Sequence, residues 1–432
     1  MRPLHRLTPL LLLLVLSTTL LHARSSLHSG PYPGDVGTEH AALWYAHDGE
    51  AVFEIYLVDT ALHRVHRPDT VIDVVRAGHH LVTARFEELR PDAVHRVVLT
   101  EDGTPIVREQ FMRTMTTELR DLDILVGSCN FIGKGVTKLL FNTGRFRIHD
   151  VARSLAADLM LWLGDNVYYW GKDTKSGTHM VRRHLYYRSH PTLDALMRAQ
   201  PNLAIWDDHD YGPNNAYGDY PLRDTARAVH KAFWPASSYG MDGEGIHSMV
   251  SMSDIDIFLL DNRSFSDTTA GVLLGDDQRR WLLDGLRRSD ATFKLVCSGV
   301  QWFNEVSHGE AMRTLAGDEI EDVLATIRDE DIRGVVFLSG DRHYSSIERL
   351  ELKPGHMVYD ITSSPILSPA NRMGVRKERD DNPNLLPNAI FAKRTVAQLS
   401  VRGVDGRRQI DVRFYDKRGE VVLHHVISED QL

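Results

Sequence analysis

Between residues 39 and 117 apolar and polar side chains alternate in short runs, at 51–57, 81–86 and 95–99. A period of two is that of a half-buried strand, and the Glu101-Asp102-Gly103 turn adds hairpin chemistry. These runs predict a small antiparallel β-sandwich, and Leu89-Arg90-Pro91-Asp92 resembles the turn of fibronectin-like sandwiches. After residue 120 the pattern changes to continuous apolar runs at 123–126, 159–163, 203–206, 255–260, 294–296 and 335–338. Such runs read as strands buried on both faces, and the amphipathic stretches at 275–288 and 311–328 supply crossover helices. The expected fold is therefore α/β, with a domain over residues 120–432 preceded by the sandwich over 39–117. The tail from 396 to 427 returns to short strands around Asp405-Gly406 and Lys417-Arg418-Gly419 turns.

The start of the chain reads differently. Residues 24–38, rich in Ser, Gly and Pro, read as a linker. Ahead of them residues 1–23 read as an export signal: Arg2, His5 and Arg6 precede an apolar run at 10–16, and Leu21-His22-Ala23 offers a cleavage site. The run falls short of the roughly 20 residues a spanning helix needs, so no membrane span is expected after cleavage. The expected location is periplasmic, secreted or cell-surface.

At 432 residues the chain exceeds one ordinary core, in keeping with two folded units. A net charge of −9 argues against a nucleic-acid-binding surface and suits cation binding. Only two cysteines occur, Cys129 and Cys297, and in an oxidising compartment a disulfide is the default. Each stands at the end of an apolar run, however, so Cys129 is equally a candidate metal thiolate.

The residues just past the apolar runs carry the chemistry. The successive endings are Gly127-Ser128-Cys129-Asn130, Gly164-Asp165-Asn166-Val167-Tyr168, Asp207-Asp208-His209-Asp210, Asp261-Asn262-Arg263 and Ser339-Gly340-Asp341-Arg342-His343. Parallel strands aim their carboxyl ends at one sheet edge, so these groups should converge. Converging carboxylates repel and lose hydration unless cations join them. The candidate metal ligands are Cys129, Asp165, Tyr168, Asp207, Asp208, Asp341 and His343, with His209 and Arg263 as catalytic groups. Arg263 is also a candidate structural ion pair. Mixed oxygen, nitrogen and sulfur donors suit iron, zinc or manganese, and calcium beside them. Two such ions favour hydrolysis of a phosphate-ester substrate by metal-bound hydroxide. A non-catalytic calcium-binding protein and another metal hydrolase, a lactonase or nuclease, are the alternatives.

With these motifs in this order over residues 123–365, the sequence resembles the alkaline phosphatase D (PhoD) family of calcineurin-like metallophosphoesterases. The resemblance implies a four-layer αββα catalytic domain and an Fe3+ plus Ca2+ pair rather than a simple zinc pair, with Zn2+ or Mn2+ as the alternatives. It implies that Asp165 bridges the ions, that Tyr168 and Cys129 serve the iron, and that Asp208 serves the second metal. Asp341 and His343 would be the final ligands, and His209 would assist the leaving oxygen. A departure comes after the fifth strand, where Cys297-Ser298-Gly299-Val300-Gln301-Trp302 holds no histidine in the place where the wider superfamily carries a ligand.

Overall fold

The computed structural model describes residues 26–106, 109–135, 137, 146–241, 243–306 and 311–432. The export signal read at 1–23 lies outside the described residues, as do residues 24–25. The sandwich exists. One sheet runs in the order β1 (Leu27–Val36), β2 (Ala41–His47), β6 (His79–Phe86), β5 (Thr70–Arg76). The other runs β4 (Val65–His66), β3 (Phe53–Asp59), β7 (Val94–Glu101), β8 (Thr104–Pro105), with β9 (Phe111–Arg113) also on β7.

The first strand corrects the linker reading of residues 24–38. Leu27–Val36 pairs antiparallel with β2 through three register shifts, which let a Gly- and Pro-rich segment track a sheet it could not join flat. Gly30 has φ +91°, and a Cβ there would sit 2.6 Å from the Trp44 carbonyl oxygen, so the turn requires glycine. Tyr32 stacks on Trp44 at 5.5 Å, and the Arg188 guanidinium of the catalytic domain lies 4.2 Å from the same indole. Trp44 Nε1–H also donates to the Ala232 carbonyl at 2.7 Å. Aromatic burial between domains thus overrides a composition that suggests mobility.

A buried carboxylate fastens the sandwich. Asp59 accepts the Ala61 and Leu62 amides at 2.8 and 2.9 Å and the Arg90 guanidinium at 3.1 Å. Arg90 and these amides hold its carboxyl well below the usual range. A depressed folded pKa contributes stability that is present above the unfolded value of about 4 and lost as pH falls through the folded one. Asp59→Asn should therefore lower Tm near neutrality and flatten its acid dependence below about pH 4, which thermal melts across that range would read. An unchanged acid limb would contradict this.

The catalytic domain holds two larger sheets. The first runs β12 (Asn202–Ile205), β11 (Leu159–Leu163), β10 (Leu122–Gly127), β20 (Thr395–Arg402), β21 (Gln409–Asp416), β22 (Val421–Ser428), with β10 to β12 parallel. The second runs β13 (Ser248–Met252), β14 (Ile255–Leu259), β15 (Phe293–Cys297), β16 (Val335–Ser339), β18 (His356–Thr362), β17 (Ser345–Lys353), β19 (Leu385–Phe391). Here β14, β15, β16 and β18 are parallel. Alternation explains the layering. Ile257, Leu295 and Leu338 join Val126, Leu161 and Leu399 in the core between the sheets. Their neighbours Phe258, Val296 and Phe337 face Leu282, Leu286, Ile320 and Ile327 of the helices Gly275–Arg288 and Gly317–Asp329. Strands clothed on both faces in this way produce an αββα sandwich.

Two expectations change. The stretch 311–328 is not one helix: it divides at Ala316 into Met312–Leu315 and Gly317–Asp329. Cys129 and Cys297 are both free and buried, Cys129 just past the end of β10 and Cys297 at the end of β15 in the other sheet. Among the described residues no helix is long and apolar enough to cross a membrane.

Candidate metal centre

The carboxyl ends of β10, β11 and β12 in one sheet and of β14, β16 and β18 in the other meet at a common edge. The loops leaving them carry the predicted residues. Cys129, Asp165 and His343 present donor atoms all within 4.8 Å of one another, and so do Asp165, Asp208 and His209. Asp165 belongs to both groups. The Tyr168 hydroxyl lies 3.3 Å from His343 Nε2 and 2.8 Å from Ser368 Oγ, and its ring is 4.3 Å from that of His209.

The backbone around this cluster is strained. Cys129, Asp165, Asp341 and His343 have φ of 56°, 54°, 60° and 57°, a region that costs a non-glycine residue of order 1 kcal/mol or more. Such strain persists where the surroundings enforce it, and here the enforcement is visible. The Asp210 carboxylate accepts the Asp165, Asn166 and Asp207 amides at 3.2, 3.0 and 2.6 Å, clipping the β11 loop to the β12 loop. The His343 amide donates to Ser364 Oγ at 2.9 Å, fixing the β16 loop against β18.

Electrostatics mark the cluster as incomplete. Burial, then Asp208, Asp207, Asp210 and Asp341, push the Asp165 carboxyl well above the usual range. Asp208 is buried too, yet Arg263, His209 and the Asn215 amide, which donates to it at 2.6 Å, hold its carboxyl low. Burial and the Asp165 charge push the Cys129 thiol up, while hydroxyls of Ser128 and Ser364 donate to its sulfur at 3.4 and 3.2 Å. Asp208 Oδ1 and His209 Nδ1 are buried without a hydrogen-bond partner. A buried unpartnered acceptor costs about 1–3 kcal/mol, so the Asp208 oxygen fits a cation, while the His209 nitrogen is open to carry a proton. A hydroxyl donor on the sulfur, as from Ser364, likewise favours its thiolate form.

Not every predicted ligand joins the cluster. Asp207 lies outside both donor groups: Arg263 Nε donates to its Oδ1 at 2.8 Å and Nη2 donates to the same oxygen, while its Oδ2 is buried without a hydrogen-bond partner. Arg263 is itself buried, 5.2 Å from the Tyr217 ring, so the structural ion pair is the arrangement found. Asp341 sits at the more open rim, 3.5 Å from Arg342, outside both donor groups although its charge reaches Cys129, Asp165 and Asp207. Where the superfamily histidine is lacking, Gly299 donates its amide to Asn262 Oδ1 at 3.1 Å, and a Cβ there would meet Asp207 Oδ1 at 2.6 Å. A side chain there would have to displace the Asp207 carboxylate. Sequence reasoning missed Asp210 as the loop clip and Ser364 and Ser368 as donors. Asp210 stands inside the Asp207-Asp208-His209-Asp210 motif, whereas the serines come after β18, a strand that the apolar pattern does not mark.

An αββα sandwich with buried carboxylates, imidazoles, a thiol and a phenol at its shared edge is the fold and site of a metal-dependent phosphoesterase. The model of the PhoD-like phosphatase family matches residues 125–423, well over half the chain. The chain belongs to the PhoD-like phosphatase family, and it is a metal-dependent phosphatase acting on phosphate esters. Its fold is similar to a solved structure of PhoD, with TM-score 0.74 and 17% identity over 95% of this chain and 91% of that one. It is also similar to a purple acid phosphatase from yellow lupin (Lupinus luteus) seeds, with TM-score 0.67 and 10% identity over 93% and 75% of the two chains. No curated protein matches by sequence. Family membership sets aside the non-catalytic calcium-binding alternative.

Proposed function

We propose that this phosphatase hydrolyses phosphate mono- and diesters outside the cytoplasm with an iron and a calcium ion. One observation carries the reading: Asp165 is common to two donor groups, one containing sulfur and imidazole and the other a second carboxylate. Cys129, Asp165, Tyr168 and His343 offer the softer set that suits ferric iron. Asp165 and Asp208, with Asp341 at the rim, offer the oxygen set that suits calcium. Bound there, the ions would supply charge to polarise a phosphoryl group and acidity for water near neutral pH.

The protein's own groups do the rest. Asp210 holds the loops of Asp165 and Asp208 in register, and the Ser128 and Ser364 hydroxyls orient the Cys129 sulfur. His209 lies between the rings of Tyr168 and Trp170, 4.3 and 5.9 Å away, which holds its imidazole over the cluster to pass a proton to the departing oxygen. His209→Ala should lower kcat by about 10²–10⁴ for alkyl esters and less for aryl esters, whose leaving groups need no proton. Equal losses for both would remove that role.

Tyr168 tests the metal. A phenolate on ferric iron absorbs visible light, so the iron-loaded protein should be coloured and Tyr168→Phe should lose the band. Colour retained in the variant would take Tyr168 off the iron. Export rests on the pattern of residues 1–23; N-terminal sequencing of protein recovered outside the cytoplasm should begin after Ala23. An intact amino terminus would count against cleavage.

A further inference from the structure

Beside the metal centre lies a cavity of ≈570 Å³ whose described lining carries five cations, Arg372, Lys393, Arg394, Lys417 and Arg418, against two carboxylates. In a chain of net charge −9 this is not a sample of the general surface. The carboxylates are occupied. Asp416 accepts the Arg418 and Glu420 amides at 2.7 and 3.3 Å within its own turn, and Glu420 pairs with Arg418 at 4.0 Å. Among the described residues Arg372, Lys393 and Lys417 form no ion pair, and Lys393 stands over the Phe391 ring at 5.3 Å.

Sheet register places the cavity at the catalytic edge. β20 runs antiparallel to β10, with Ala397 opposite Val126, so the start of β20 lies where β10 delivers Cys129. Asp416 lies opposite Thr395, which brings the β21–β22 turn to the same edge. Part of the remaining wall, Pro369 and Ala370, continues directly from Ser368, the partner of Tyr168 at 2.8 Å. Pro369 also hydrogen-bonds the His343 ring, and the next loop residue, Asn371, donates its amide to the His343 carbonyl at 2.9 Å. One loop thus touches the metal centre on one side and the basic cavity on the other.

We infer that this cavity receives a second anionic group of the substrate, so that the preferred esters carry another phosphate or carboxylate beyond the one being cleaved. This substrate class rests on the phosphoesterase reading of the metal centre and extends it. Guanidinium forks and ammonium groups recognise phosphate by charge-assisted hydrogen bonds, and the volume is that of a small-ligand site. A monoanionic aryl phosphate would use the metal centre alone.

The test compares α,ω-alkanediol bisphosphates of two, four and six carbons with the matching alkyl monophosphates, using the metal-loaded full chain and monitoring phosphate release. At least one bisphosphate should exceed its monophosphate tenfold or more in kcat/KM. Lys417→Glu with Arg418→Glu, on an exposed turn, should reduce that ratio to threefold or less, and Lys393→Glu, on a separate segment, should reduce it independently. Ratios near one at every length in the wild type, or a ratio that survives both changes, would overturn the inference. Absence of turnover on p-nitrophenyl phosphate under every metal condition would instead strike the underlying reading, a result distinguishable from the first because it involves no ratio.

Discussion

Asp165→Asn should reduce phosphoester hydrolysis by at least about a thousandfold in kcat/KM, a loss of about 4 kcal/mol of transition-state stabilisation. Its carboxylate is the one shared by both donor groups, so a neutral amide weakens both at once. The same change should not unfold the protein. Burial and four neighbouring carboxylates already push the Asp165 proton affinity up, so removing its charge relieves repulsion in the metal-free chain. Metal content by elemental analysis should fall, while Tm measured in chelator should equal or exceed that of the wild type. Activity within tenfold of wild type at saturating metal would remove Asp165 from the bridging position.

Arg263→Ala should act in the opposite way, through the fold. Asp207 is fully buried, and both hydrogen bonds from Arg263 reach its Oδ1. Deleting one member of a buried pair strands the other charge and costs about 3–5 kcal/mol. Changing Arg263→Leu together with Asp207→Asn should recover most of that stability, because neither charge is then left alone and the amide can still cap the turn after β12. Denaturant midpoints of the single and double variants give the answer. A single variant of unchanged stability but much higher KM would restore Arg263 to the role of phosphate ligand.

These two residues show where sequence pattern is sufficient and where it stops. Continuous apolar runs mark parallel strands because such strands are clothed on both faces, and the residues after them converge because the strands share a direction. Shared direction is enough to bring Cys129, Asp165, Tyr168, Asp208, His209 and His343 into one cluster. It cannot separate Asp207 from Asp208. Adjacent residues leave a turn in different directions, and which one meets Arg263 depends on how the β12 loop packs against the β14 loop of the other sheet. Nor can it reveal Ser364: β18 carries Asp360 among its apolar residues and looks half-exposed, although Asp360 is buried against Ser339 and the Trp302 amide at 2.7 Å each. The first strand of the sandwich is hidden for a different reason. Its Gly and Pro residues carry the signature of a loop, and only the aromatic contact with Trp44 and Arg188 makes it a strand.

Hydrolysis should depend on metal held at the Asp165 cluster. The measurement that reaches this dependence most simply tracks p-nitrophenyl phosphate and bis-p-nitrophenyl phosphate side by side in protein as purified, after chelation, and after iron and calcium are returned together and singly. Activity should disappear with chelator and return fully only when both ions are restored. Activity that persists in fully chelated, metal-free protein would show that the Asp165 cluster is not a metal centre on which the chemistry depends.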